Sequence, residues 1–231
     1  ATSSNCFAST CRQGQLLEMK PTRRHCLLAA AGLLACRAAN AGSYEDFFLG
    51  IQLDRVAMVE GLLKRGFDVN ARDSAGQHGL YLAIRDGSRE VIPVLVEHPG
   101  LEVDAANTAG ETPLMMAALR GEIGVMERLI KRGAQLELPR WTPLHYAASG
   151  SSLEAVRLLL DRGARIDSTA PNGNTPLTMA AGFGSIDSAR YLLKRGADPA
   201  ARNKQDQTAA DLARRGDRDK LADELTLAAA R

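Results

Sequence analysis

The 231-residue chain is 45% hydrophobic and 24% charged, with a formal net charge of +2; that balance excludes a disordered polyelectrolyte and permits one folded domain or two. Aromatic residues make up only 4% while alanine and leucine abound, which favours helices over sheets. Removing the five cations and one acid of residues 1–41 from the chain's 29 and 27 leaves 24 cations against 26 acids, without the basic surplus of a nucleic-acid binder.

Residues 1–18 belong to no recognisable element; translation from upstream of a true start at Met19 is one origin for them. From Met19 the order is a basic start (Lys20, Arg23, Arg24), an apolar run from Cys26 to Ala35, and the small-residue site Ala39-Asn40-Ala41. This predicts a secretory signal peptide over 19–41, cleaved near Ala41. The apolar run is half the ~20 residues a membrane span requires, so no stable span is expected from it. Arg23-Arg24 leaves general and twin-arginine export both open, and Cys36 offers a lipidation site with a poor preceding box. All four cysteines (Cys6, Cys11, Cys26, Cys36) precede residue 37. The body of the chain therefore has no thiol nucleophile, disulfide framework or cysteine zinc site.

Beyond the leader one phrase recurs: Glu111-Thr112-Pro113-Leu114-Met115-Met116-Ala117-Ala118, Trp141-Thr142-Pro143-Leu144-His145-Tyr146-Ala147-Ala148 and Asn174-Thr175-Pro176-Leu177-Thr178-Met179-Ala180-Ala181, with weaker copies around His78 and Thr208. The steps from His78 to Thr112, Thr142, Thr175 and Thr208 are 34, 30, 33 and 33 residues. A second phrase keeps step: LLKRGFDVN (62–70), LIKRGAQLE (129–137), LLDRGARID (159–167) and LLKRGADPA (192–200). Threonine followed by proline predicts a capped helix start, since the hydroxyl satisfies a free N–H and proline has none to waste. The Ala-Ala pair lets neighbouring helices approach closely. Gly66, Gly100, Gly133, Gly163 and Gly196 are expected to end the second helices in the left-handed region, and Gly87, Gly121 or Gly150 to reverse the chain after the first.

A period near 33 built from TPLHxAA and LLxxGAD resembles the ankyrin repeat, over residues 44 to about 227. The resemblance implies an all-α solenoid of stacked helix-turn-helix units joined by loops or short hairpins. The domain over 42–231 would have caps near 43–72 and 202–227 and internal repeats near 73–107, 108–138, 139–167 and 168–201. In the first cap Phe47, Phe48, Leu49 and Val56 are expected to face inward. Stability would come from stacking, because no single repeat buries its apolar face. Three departures stand out. The join from Gly133 to Thr142 is three residues shorter than that from Gly163 to Thr175, so residues 135–141 must make an abbreviated finger. Pro93 is expected to kink the second helix of its unit. Gly79 replaces the motif proline, which marks that repeat as the weakest.

No glycine-rich phosphate loop, GxSxG elbow or HExxH stands in the sequence. His25, His78, His98 and His145 show no metal-ligand spacing. His145 occupies the family position whose histidine bridges a turn, so its expected role is structural. Asp68, Asp104, Asp167 and Asp198 recur with the period, which implies loop construction. No catalytic residue, cofactor or metal is expected. The resemblance implies protein binding through loop tips and the exposed face of the first helices. The matching positions are Gln77, Arg85, Asp86, Glu111, Leu119, Arg120, Arg140, Trp141, Asn172, Asn174 and Phe183, with Trp141, Leu119 and Phe183 as apolar anchors. The expected function is a non-enzymatic, monomeric scaffold, exported to a bacterial periplasm or secreted, that binds a protein partner and no nucleic acid. An enzyme or enzyme subunit on a helical-repeat scaffold, and a cytosolic or secreted interaction protein whose leader reads otherwise, are the alternatives.

Overall fold

A computed structural model describes residues 42–230, and Ser43–Arg231 form a compact unit. The leader features, from residues 1–18 to the Ala39-Asn40-Ala41 site, lie outside the described residues. Among the described residues twelve helices follow in pairs: α1 (42–52) with α2 (Val56–Lys64), α3 (Gly79–Asp86) with α4 (Val91–Glu97), α5 (Pro113–Arg120) with α6 (Ile123–Lys131), α7 (Pro143–Ser149) with α8 (Leu153–Asp161), α9 (Pro176–Gly182) with α10 (Ile186–Lys194), and α11 (Ala209–Arg215) with α12 (Asp219–Ala229). The first helices pack on one another in chain order (α3, α5, α7, α9, α11), as do the second helices (α2, α4, α6, α8, α10). The result is an all-α stack of helix-turn-helix units. Among the described residues the only β-type pairing is a single bridge between Arg72 and His78.

Local chemistry fixes each pair. Thr112, Thr175 and Thr208 accept the N–H of the third helical residue at the starts of α5, α9 and α11, and proline opens α5, α7 and α9. Ser152 and Ser185 do the same for α8 and α10. At the opposite end Gly66, Gly133, Gly163 and Gly196 take φ of 86°, 91°, 93° and 95°, a region where other residues are strained. Two leucine columns then fill the stack with the repeat's period. Leu80, Leu114, Leu144 and Leu177 of the first helices are fully buried, as are Leu95, Leu129, Leu159, Leu192 and Leu225 of the second.

Several expectations yield to packing. Leu49 is 45% exposed, while Ile51 and Val59 join Phe47 in the core of the first pair. Pro93 causes no loss, because α4 begins at Val91 and places it in the first turn, where backbone N–H groups lack intrahelical partners anyway. Gly100 lies outside the left-handed region; α4 has already ended at His98, held extended ahead of Pro99. Gly150 is extended, and its role is close approach: a Cβ there would lie 2.6 Å from the Leu119 carbonyl oxygen. Gly79 likewise makes room, since a Cβ would sit 2.9 Å from the Phe47 ring. Arg132, just after α6, reaches back one repeat: its guanidinium donates to the carbonyls of Val96 and His98, closing α4 of the preceding pair.

Candidate partner-binding site

Between each second helix and the next first helix the chain projects a finger. In three fingers an Asp or Asn accepts two backbone N–H bonds across the turn: Asp73 from Ala75 and Gln77, Asn107 from Ala109 and Glu111, Asn203 from Gln205 and Gln207. Backbone pairs close the same turns and that over 170–174. Side chains then tie neighbouring fingers together. Asn107 donates to the Gln77 carbonyl oxygen at 3.1 Å, and Asn203 to that of Asn174 at 2.9 Å. The period-matched aspartates serve the loops: Asp104 accepts from the Gln135 N–H and Asp167 from that of Asp198.

The abbreviated finger breaks the row. Among the described residues, 135–141 closes no such turn, and Trp141 stands where Gln77 and Asn174 make their cross-ties. Glu137 still secures the base, accepting from the Arg165 N–H at 2.8 Å and the Ser168 hydroxyl at 2.9 Å. Under the gap lies an open cavity of 210 Å³ lined by Trp141, His145, Tyr146, Ser149 and Met179. Trp141 meets His145 and Tyr146 edge-on, with centroids 5.5 Å and 6.4 Å apart.

Next to this cavity a carboxylate holds three hydrogen bonds. Glu111 accepts from the Tyr81 hydroxyl at 2.5 Å, the Asn107 amide at 2.8 Å and the Tyr146 hydroxyl at 2.9 Å. Burial alone would raise the Glu111 pKa, but the three donated bonds outweigh it and hold it below the ordinary value. Burial first, and the Glu111 carboxylate second, push both tyrosines up. The group is a bracket across α3, the 107–111 finger and α7, held in its ionised form.

His145 is fully buried. Its Nδ1 accepts the Thr142 N–H at 3.2 Å, which leaves the proton on Nε2 to be donated to the Asn174 carbonyl at 3.1 Å. Burial lowers its pKa, so the neutral ring is the working form. It caps α7 and fastens the next repeat. No group of three or more His, Cys, Asp or Glu residues able to hold a metal occurs among the described residues.

The expected surface residues separate into three sets. Arg85, Asp86, Arg120, Arg140 and Asn172 are exposed, with Arg85 paired to Asp86 at 2.7 Å. Gln77, Glu111, Leu119 and Trp141 are half-buried, and Phe183 at the end of α9 is 63% exposed. Asn174 is buried instead, because its backbone and amide are consumed by Asn172, His145 and Asn203. Tyr146 and Met179, absent from the expected set, complete the cavity. Both fall four residues after the capping threonine, a register at which Leu82, Met116 and Leu212 are buried, so no local signal marked them.

A family model for ankyrin repeats matches residues 48–140 and 136–203. The chain is 34% identical over 131 residues to ZDHHC13 of Danio rerio, a palmitoyltransferase by name, covering 54% of this chain and 20% of that protein. It is 31% identical over 122 residues to neurogenic locus notch homolog protein 2 of Homo sapiens (52% and 5%) and 30% over 147 residues to the tyrosine-protein kinase HTK16 of Hydra vulgaris (62% and 18%). The chain thus spans a fifth or less of these relatives. It superposes with a TM-score of 0.67 and 26% identity on a chain from the Bd0816 predatory endopeptidase of Bdellovibrio bacteriovorus in complex with immunity protein Bd3460, covering 79% of this chain and 97% of that one.

Proposed function

The chain belongs to the ankyrin-repeat family, and from that premise we propose that it is an exported, non-enzymatic scaffold that grips a partner protein with its first-helix face and finger tips. The observation that carries this reading is the set of apolar side chains on the first-helix side: Trp141, Tyr146 and Met179, half-exposed around one cavity, and Phe183, exposed at the end of α9. Apolar anchors on rigid supports are what a binding hot spot requires. A general acid or base works from a carboxylate free to approach substrate, whereas three donors hold Glu111 in its bracket. The fold neighbour comes from an endopeptidase in complex with an immunity protein, which supports a protein as the class of partner. Repeats of this kind also occur in a kinase and a palmitoyltransferase, whose catalytic activity is not carried over to a chain matching a fifth of their length.

Export rests on the basic, apolar and small-residue order of 19–41, and places the mature monomer, starting at Gly42, in a bacterial periplasm or outside the cell. No helix of the described residues is long and apolar enough to cross a membrane. N-terminal sequencing of the protein from its own cells tests export: a start at Gly42 supports it, and retention of Met19 overturns it. Crosslinking in those cells, followed by reconstitution of the purified pair, tests the scaffold. A turnover activity of the chain purified alone would overturn the non-enzymatic reading.

A further inference from the structure

We propose that the cavity between α1 and α3 seats one basic side chain, lysine or arginine, presented by the partner protein. The proposal rests on the scaffold reading and deepens it by naming the chemistry accepted at the first end of the stack.

The cavity measures 180 Å³ and is walled by Phe48, Ile51 and Gln52 of α1, Leu82, Arg85 and Asp86 of α3, and Asp73 of the first finger. It falls below the ~300–1,000 Å³ usual for small-molecule sites and suits one side chain. Phe48, Ile51 and Leu82 offer an apolar wall to a methylene stem, and the polar groups offer partners to a charged head.

Asp73 decides the sign of that head. Its turn requires an oxygen, not a charge, because Asn107 and Asn203 accept the same pair of backbone N–H bonds with a neutral amide. In those two fingers the amide nitrogen is also spent, by Asn107 on Gln77 and Glu111, and by Asn203 on Asn174 and Gln207. The first finger has no finger before it to tie; it rests on α1, where the Tyr44 hydroxyl donates to the Arg72 carbonyl. Both N–H bonds to Asp73 fall on Oδ1, and among the described residues Oδ2 accepts none. Bonds from neutral N–H groups leave the carboxylate its charge. Asp73 thus brings to the cavity wall a charge and an oxygen that the turn does not use.

The surrounding charges keep that sign. Arg85 is the one cation of the lining, and its Nε and Nη2 donate to Asp86 at 2.7 Å and 3.1 Å. Set against Asp73 and Asp86, it leaves the lining with one net negative charge. Helix α1 adds exposed Glu45 and Asp46 and no cation. An apolar occupant would strip water from Asp73 without replacing it, and an acidic one would meet like charge. A basic head satisfies Asp73, and the Phe48 ring attracts it as well.

The test places the photocrosslinker p-benzoylphenylalanine at position 52, and separately at 119 and 183, in the full chain made by its own cells, and maps crosslinked peptides by mass spectrometry. The crosslink from 52 is expected in a partner segment holding Lys or Arg. A synthetic peptide of that segment is then titrated against the purified chain by calorimetry. Asp73→Asn, which keeps the oxygen for Ala75 and Gln77, should weaken the peptide about tenfold. Norleucine in place of the basic residue should cost the unaltered chain a similar factor and the Asp73→Asn variant little, the coupling a double-mutant cycle reads. Gln52→Lys, which leaves the finger untouched, should also weaken the peptide, and circular dichroism confirms both folds. A mapped segment without a basic residue, additive effects in the cycle, or crosslinks from 119 or 183 without one from 52 overturns the cation seat and leaves the scaffold standing. Silence at all three positions overturns both.

Discussion

Acid should loosen the first full repeat through His78. This histidine stands where the other repeats place threonine; it is fully buried and caps α3 by accepting the Leu80 N–H on Nδ1 at 3.3 Å. Its Nε2 faces the Asn70 carbonyl oxygen at 3.3 Å, so the neutral Nε2–H tautomer satisfies both contacts. A second proton would land on Nδ1, donor against donor, at the positive end of the helix. Burial first, then Arg72, lowers the folded pKa to about 4 from an ordinary 6.5. The unfolded chain therefore binds the proton first as pH falls. The stabilisation is fully present above about pH 6.5 and is lost progressively toward pH 4. Linkage places the loss between pH 7 and pH 5 at about 2 kcal/mol from this residue. His145 adds a loss of the same sign, because burial lowers its pKa too. Urea unfolding at the two pH values, read by circular dichroism, measures the total. His78→Thr keeps a cap and removes the titration, so its loss should be about 2 kcal/mol smaller than that of the unaltered chain. Equal losses in the two proteins would refute the argument.

Other changes test the stack itself. Leu159→Ala removes a fully buried side chain from the second-helix column and should cost about 2–5 kcal/mol; an unchanged thermal melt would contradict the packing. Gly184→Ala places a Cβ 1.8 Å from the Ala148 carbonyl oxygen and should destabilise by about 1–3 kcal/mol through forced backbone movement. Gly61→Ala, inside α2 with open space at the Cβ, should instead stabilise by up to about 1 kcal/mol, visible as a raised Tm. Asp54 holds φ at 52° and accepts the N–H groups of Glu90 and Val91 at the start of α4. Asp54→Ala should therefore cost about 1–2 kcal/mol, and Asp54→Gly less, because glycine relieves the dihedral; reversal of that order in urea unfolding would count against the cap.

The repeat was legible because its signals are local. Thr112-Pro113, Thr142-Pro143 and Thr175-Pro176 carry their own cap and first turn, and Gly133, Gly163 and Gly196 carry their own stop. What escaped is contact between repeats. α4 has no cap within its own sequence, and the carboxylate that supplies one sits at Asp54, 36 residues upstream of Glu90. The Arg132 guanidinium closes the end of α4 from 34 residues downstream of His98, and Pro93, which reads as a break, falls in that helix's first turn. Gly79 read as a lost proline, yet its value is the space it leaves for Phe47, and no periodicity displays a missing Cβ.

The site divides along the same line. Counting residues between Gly133 and Thr142 exposed the short finger, since chain length is a covalent fact. Counting could not say that the lost turn would uncover an apolar hole, because that depends on Tyr146 and Met179 from two different first helices facing the same gap. Nor could it say that Asn174, offered as a surface residue, would be drawn inward by His145 and Asn203. Polar identity suggests exposure, but a repeat protein needs polar groups at each seam to satisfy the backbone of its neighbour. Trp141 escapes that duty because its finger has no tip to tie, and so the two seams that border it are the two without an amide cross-tie.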